Sequence, residues 1–176
     1  MISNLKKYIA VLLTVPFLLA HAPWGQHQVY RQLHMLIMCS KKDIGAFEFT
    51  KKLETIFNIY LPKAKAKVAR APHEDRIFNL LKTNQIPLAL ISHKLINDLV
   101  KKDEKNKLFF ADKTKLIYLF SDMVLIANKE FPSYKSDKIF KALIKASQET
   151  NDMQLQIAYD ENFLINYDKS IKLMKK

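Results

Sequence analysis

Between residues 33 and 102 short apolar runs alternate with amphipathic stretches, and this rhythm restricts the fold more than any other feature of the chain. "LHMLIMCS" (33–40) is a nearly continuous apolar run, the pattern of a strand covered on both faces. "AFEFTKKLETIFNIY" (46–60) places Phe49, Leu53, Ile56, Phe57 and Tyr60 at helical spacing, with Asp43 available as an N-cap. "AKAKVARA" (64–71) alternates and reads as a second strand. "HEDRIFNLLKTNQ" (73–85) sets Ile77, Leu80 and Leu81 on one helical face. It puts Glu74 and Asp75 in the first turn, where the positive end of a helix favours carboxylates. "IPLALIS" (86–92) is a third apolar strand, and "HKLINDLVKK" (93–102) a short helix. Strands that alternate with helices pair in parallel and carry the helices on their faces. The expected class is therefore α/β: a single three-layer lobe with a mainly parallel sheet.

Beyond this rhythm the pattern loosens. "KKDEKNK" (101–107) reads as a surface loop. "KLIYLFSDMVLIANKEF" (115–131) is apolar but broken by Ser121 and Asp122, which gives two strands with a turn or one long bent strand. Pro132 ends it, and Ser136 or Asp137 is placed to cap "KIFKALIKAS" (138–147), with Ile139, Phe140, Leu143 and Ile144 as its buried stripe. From Gln148 onward the period is lost, and a short strand or helix with a basic tail is expected. There is no internal repeat.

The chain opens like a secretory signal. Lys6 and Lys7 form a positive n-region, "YIAVLLTVPFLLA" is a 13-residue apolar core, and Ala20-His21-Ala22 fits a small-x-small cleavage site. Thirteen residues are short for a bilayer span, so no stable transmembrane segment is expected, although Pro23 after the cut leaves an uncleaved tether open. The expected organisation is a signal peptide over residues 1–22 and one lobe over residues 23–176, exported to the periplasm.

Composition narrows the function. Two glycines in 176 residues argue against Gly-rich phosphate loops. The net charge of +12 comes mostly from Lys spread along the chain; it is a solvated surface or a field for anionic ligands, acidic proteins or headgroups. The lysines are not interleaved with aromatic stacking residues, which argues against nucleic acid. Cys39 is the single cysteine, inside an apolar run, so no intramolecular disulfide forms and a buried hydrophobe is expected.

Nothing in the chain reads as catalytic. The five histidines, His21, His27, His34, His73 and His93, have no HExxH spacing, and there is no nucleophile elbow, dinucleotide fingerprint or Walker loop. No metal, no cofactor and no enzyme activity is expected. The remaining guide is that ligands of open parallel sheets sit beyond the strand carboxyl ends, against helix N-termini. The strands end at Ser40-Lys41-Lys42-Asp43, at Arg70-Ala71-Pro72-His73 and at Ser92-His93. Ser40, Lys41, Arg70, His73, Ser92 and His93 make a candidate anion site. Alternatively, Ser92 and Asp43 cap helices and His73 is a turn residue. Trp24, Tyr30 and Arg31 form a candidate partner-binding arm.

The order of "KVARAPHEDRIFNLLKTNQIPLALIS" and "SDMVLIANKEFPSYKSDKIFKALIKAS" resembles periplasmic solute-binding proteins of the TAXI type, which serve TRAP transporters. "TNQIPLALIS" stands in place of the family's G-x-x-D-x-A-L-x-x-S segment, "VLIANKEFPSYKSDKIFKALIKA" in place of its later strand and helix, and "PWGQHQVYRQLHMLI" resembles the opening of a short subgroup. The resemblance implies one lobe of a type II periplasmic-binding fold that binds a small anionic solute, with transporter membrane subunits as partners. The chain departs from the family in having "CSKKDIGAF" where a Gly-rich turn opens the first helix, and "APHED" where "GGS" follows the second strand. The 154 residues after the signal hold one lobe, so closure between two lobes requires a second wall from a partner. The other reading is an interaction protein, a binding-protein-like lobe docking an acidic periplasmic partner such as a quinoprotein dehydrogenase or cytochrome. Its charge is +10 once Lys6 and Lys7 are removed.

Overall fold

The computed structural model describes residues 29–150. Residues 29–33 are helical and belong to a unit separate from the body that begins at His34. In the body, β1 (Leu36–Ser40) leads through α1 (Ala46–Tyr60) and a 3-10 turn (Pro62–Ala64) to β2 (Lys67–Ala71). Then come α2 (Glu74–Lys82), β3 (Leu88–Ser92), α3 (His93–Lys102) and α4 (Glu104–Lys113). The hairpin β4 (Thr114–Leu119) and β5 (Met123–Asn128) precedes α5 (Ser133–Thr150).

The five strands form one mixed sheet in the order β2-β1-β3-β5-β4. β1 pairs in parallel with both β2 and β3, and β5 runs antiparallel between β3 and β4. The α/β expectation and its parallel three-strand start are both present.

Side chains alternate across the sheet as strand geometry requires. Ile37, Leu88 and Leu125 point to one face, where Leu53 and Phe57 of α1 and Ile139 and Leu143 of α5 meet them. Met38, Ala89, Ile91 and Ile126 point to the other, against Ile77 and Leu81 of α2, Ile96 of α3 and Phe110 of α4. All residues of β1 and of β5 are buried, which is why their sequences read as unbroken apolar runs. Each such Leu, Ile or Phe contributes about 1.5–3 kcal/mol by leaving water.

Several elements depart from the sequence expectation. The lysine-rich segment read as a loop is helical on both sides of Asp103: Lys101 and Lys102 close α3, and Asp103 caps α4 by accepting the Lys105 amide at 2.9 Å, with Lys and Glu as good helix formers. α5 starts at Ser133 rather than after Ser136, because the Pro132 carbonyl accepts the Lys135 and Ser136 amides at 3.0 and 3.1 Å. Its stripe is Ile139, Ala142, Leu143 and Ala146, while Phe140 is exposed. The first strand begins at Leu36, and the second begins only at Lys67, since Pro62 forms a 3-10 turn and Lys65 sits at φ 47°. The tail beyond Thr150, the opening segment expected to be a signal and Trp24 lie outside the described residues. Among those described, no helix is long and apolar enough to cross a membrane.

Candidate functional site

In an open α/β sheet a crevice forms where adjacent strands send their connections to opposite faces. Here that place lies between β1, which passes into α1 on one face, and β3, which passes into α3 on the other.

The gap is closed by the chain itself. Asp43 is only 8% exposed, and its carboxylate accepts the Ser92 amide at 2.8 Å. Ser92 turns its hydroxyl the other way and caps α3 by accepting the Leu95 amide at 3.2 Å. The His93 amide donates to the Asp122 carbonyl in the β4–β5 turn at 2.9 Å. On the α2 side, the buried Ser40 hydroxyl donates to Glu74 Oε1 at 3.3 Å and accepts the Lys42 amide at 3.1 Å. Two of the chain's own carboxylates thus hold the donors that an incoming anion would otherwise meet. Ser92 is the helix cap the sequence suggested. Asp43 is not a cap, because Gly45 stands at the N-cap position of α1 with φ 82°, and Asp43 is drawn to β3 instead.

Cations remain on the outside of this end. Lys41, Lys42 and Arg70 are exposed. The Arg70 guanidinium lies 4.2 Å from the Phe47 ring centroid, and the Lys51 ammonium 5.5 Å from the same ring. Both are cation–π distances. Between Lys42 and Gly45, Ile44 is 94% exposed.

The remaining candidates scatter. His73 occupies the N-cap position of α2 without capping it through its side chain. It lines an open depression of about 400 Å³ with Pro72, Asp75, Arg76, Asn79 and Leu80. Arg70 and Ser92 are not among its walls. His93 opens α3 half-buried. The structure therefore brings Ser92 to Asp43 and Ser40 to Glu74, but turns Arg70 onto Phe47 and His73 away along α2. Tyr30 and Arg31 sit on the 29–33 helical segment, Tyr30 exposed and Arg31 half-buried.

Cys39 lies beneath this end, fully buried, with its Sγ 3.8 Å from the Ala69 carbonyl. Burial pushes its thiol up, outweighing the Thr50 hydroxyl and the Arg70 charge, so it does not supply a thiolate. Among the described residues, no group of three or more His, Cys, Asp or Glu is arranged to hold a metal ion.

The 41–45 turn leaves little mark in the residue pattern. The available signal was Gly45, one of two glycines in the chain, next to an isoleucine outside the buried stripe of α1. Comparison with protein-family models, with curated proteins and with solved structures finds no match.

Proposed function

We propose that the chain is a non-catalytic, binding-protein-like lobe that docks an acidic protein through the basic end of its sheet. One observation carries this reading: Asp43 and Glu74 occupy the strand-end donors while Lys41, Lys42 and Arg70 face outward at the same end. A small anion needs inward-facing donors, and a large anionic surface needs outward-facing cations. The net charge of +12 would speed encounter with such a partner at low salt. The resemblance to TAXI-type proteins supports a type II periplasmic-binding lobe as ancestor. So does the β2-β1-β3 core with its switch point between β1 and β3. The signal-like opening supports a periplasmic location, where an acidic dehydrogenase or cytochrome is a suitable partner.

The depression lined by His73, Arg76 and Asn79 favours a second reading, in which the lobe binds a small anionic solute for a TRAP-type transporter and a partner supplies the other wall. A thermal-shift screen at low salt separates the two. Carboxylates, amino acids and phosphate-type anions form the panel, and Arg76→Ala, which removes the cation lining the depression, is the control. Saturation at a hundredfold above the dissociation constant raises stability by about 2.7 kcal/mol, a visible change in melting temperature. The docking reading expects no ligand-specific shift. A shift that disappears in the control replaces it with solute binding.

A further inference from the structure

We infer that the 41–45 turn is the contact point of this docking, an apolar anchor beside exposed cations suited to a small apolar recess ringed by carboxylates on an acidic protein. The inference rests on the docking reading and names its surface.

Ile44 is the starting observation. A β-branched side chain left 94% in water gives up the burial it would gain in any protein environment. The fold does not need it there, because the buried residues of α1 are Ala46, Thr50, Leu53, Ile56 and Phe57. The chain nevertheless holds the turn firmly on every side of it. The Lys41 amide donates to the Ala71 carbonyl at 2.8 Å, and the Lys42 amide to Ser40 Oγ at 3.1 Å. Asp43 is tied through its carboxylate to Ser92, and its carbonyl accepts the Ala46 amide at 3.2 Å. Gly45 completes the turn in the left-handed region. A side chain displayed on so constrained a backbone loses little further freedom when it is bound, which is the physical meaning of preorganisation.

Charge selects the partner. Lys41 and Lys42 precede Ile44, and the Arg70–Phe47–Lys51 stack lies beside the same sheet end. Interface anchors are of this form: one side chain enters a pocket while charges around it set orientation and encounter rate. A lipid surface is fluid and gains nothing from a locked turn, and a single isoleucine presents far less apolar area than an interfacial helix.

The test uses two defined probes, a glutamate heptapeptide with leucine at its centre and its alanine counterpart, titrated at low ionic strength into the isotope-labelled chain. The leucine peptide is expected to shift the amide resonances of residues 41–46 and of Arg70. It should bind about fivefold more tightly than the alanine peptide, equivalent to roughly 1 kcal/mol. Ile44→Ser should remove that difference while both peptides still bind. Equal affinities, or shifts confined to the lysines of α5, would overturn the turn as contact point and leave docking in place. No binding of either peptide would overturn docking as well. If phosphatidylglycerol vesicles sediment the wild type but not Ile44→Ser, and neither peptide touches the turn, the partner is a membrane and the inference fails.

Discussion

The Asp43 carboxylate accepts the backbone amide of Ser92 at 2.8 Å across 49 residues of chain, and so ties the carboxyl end of β1 to that of β3. A hydrogen bond to a charged group is worth roughly 1.5–3 kcal/mol, and its loss strands a half-buried donor. Asp43→Ala should therefore cost about 2–3 kcal/mol in urea unfolding. Asp43→Asn, which keeps an acceptor without the charge, should cost about half as much. An alanine variant within about 0.5 kcal/mol of wild type would mean that water replaces the carboxylate and that the tie is dispensable.

Gly45 offers a test of backbone strain alone. At φ 82° an L-residue pays about 1–2 kcal/mol, yet an added Cβ would meet nothing closer than Met123 Cε at 3.7 Å. Gly45→Ala should thus destabilise by about that amount with an unchanged urea slope, and Gly45→Asn by less. A neutral Gly45→Ala would show that the turn relaxes out of the left-handed region.

Tyr118 should give the fold an alkaline limit. The ring is buried against Phe120, with centroids 4.6 Å apart, and burial pushes its phenol up to about 12. The unfolded phenol ionises near pH 10, so the unfolded chain gives up this proton before the folded one does. The contribution is complete below pH 10 and is lost as pH rises toward about 12. Its full size is roughly 2–3 kcal/mol. Guanidinium unfolding between these limits should show the loss in the wild type and not in Tyr118→Phe. Parallel curves for the two proteins would remove Tyr118 as the cause.

How far the fold could be read ahead of the structure depended on whether a feature leaves a local pattern. β1 and β3 were visible because strands buried on both faces leave continuous apolar runs, and α1 because Leu53, Ile56 and Phe57 fall on one stripe. The same double burial hides direction, so nothing in "MVLIAN" announces that β5 enters antiparallel between β3 and β4. α4 leaves no clear apolar stripe, because its one buried residue is Phe110 while Leu108 lies exposed among lysines and carboxylates. At the candidate site, Ser92 was legible as a cap because its partner Leu95 is three residues away. Asp43 was not, since a bond to an amide 49 residues on leaves no spacing to find.

The sealed position of Cys39 gives the protein a built-in clock. A sulfur with no exposure and a raised thiol pKa cannot meet a thiol reagent until the sheet comes apart around it. Because it is the chain's one cysteine, the labelling rate is a single-site readout of how often the core between β1 and α1 opens. The same silence leaves any cysteine introduced on the surface as the sole reactive thiol of the native chain.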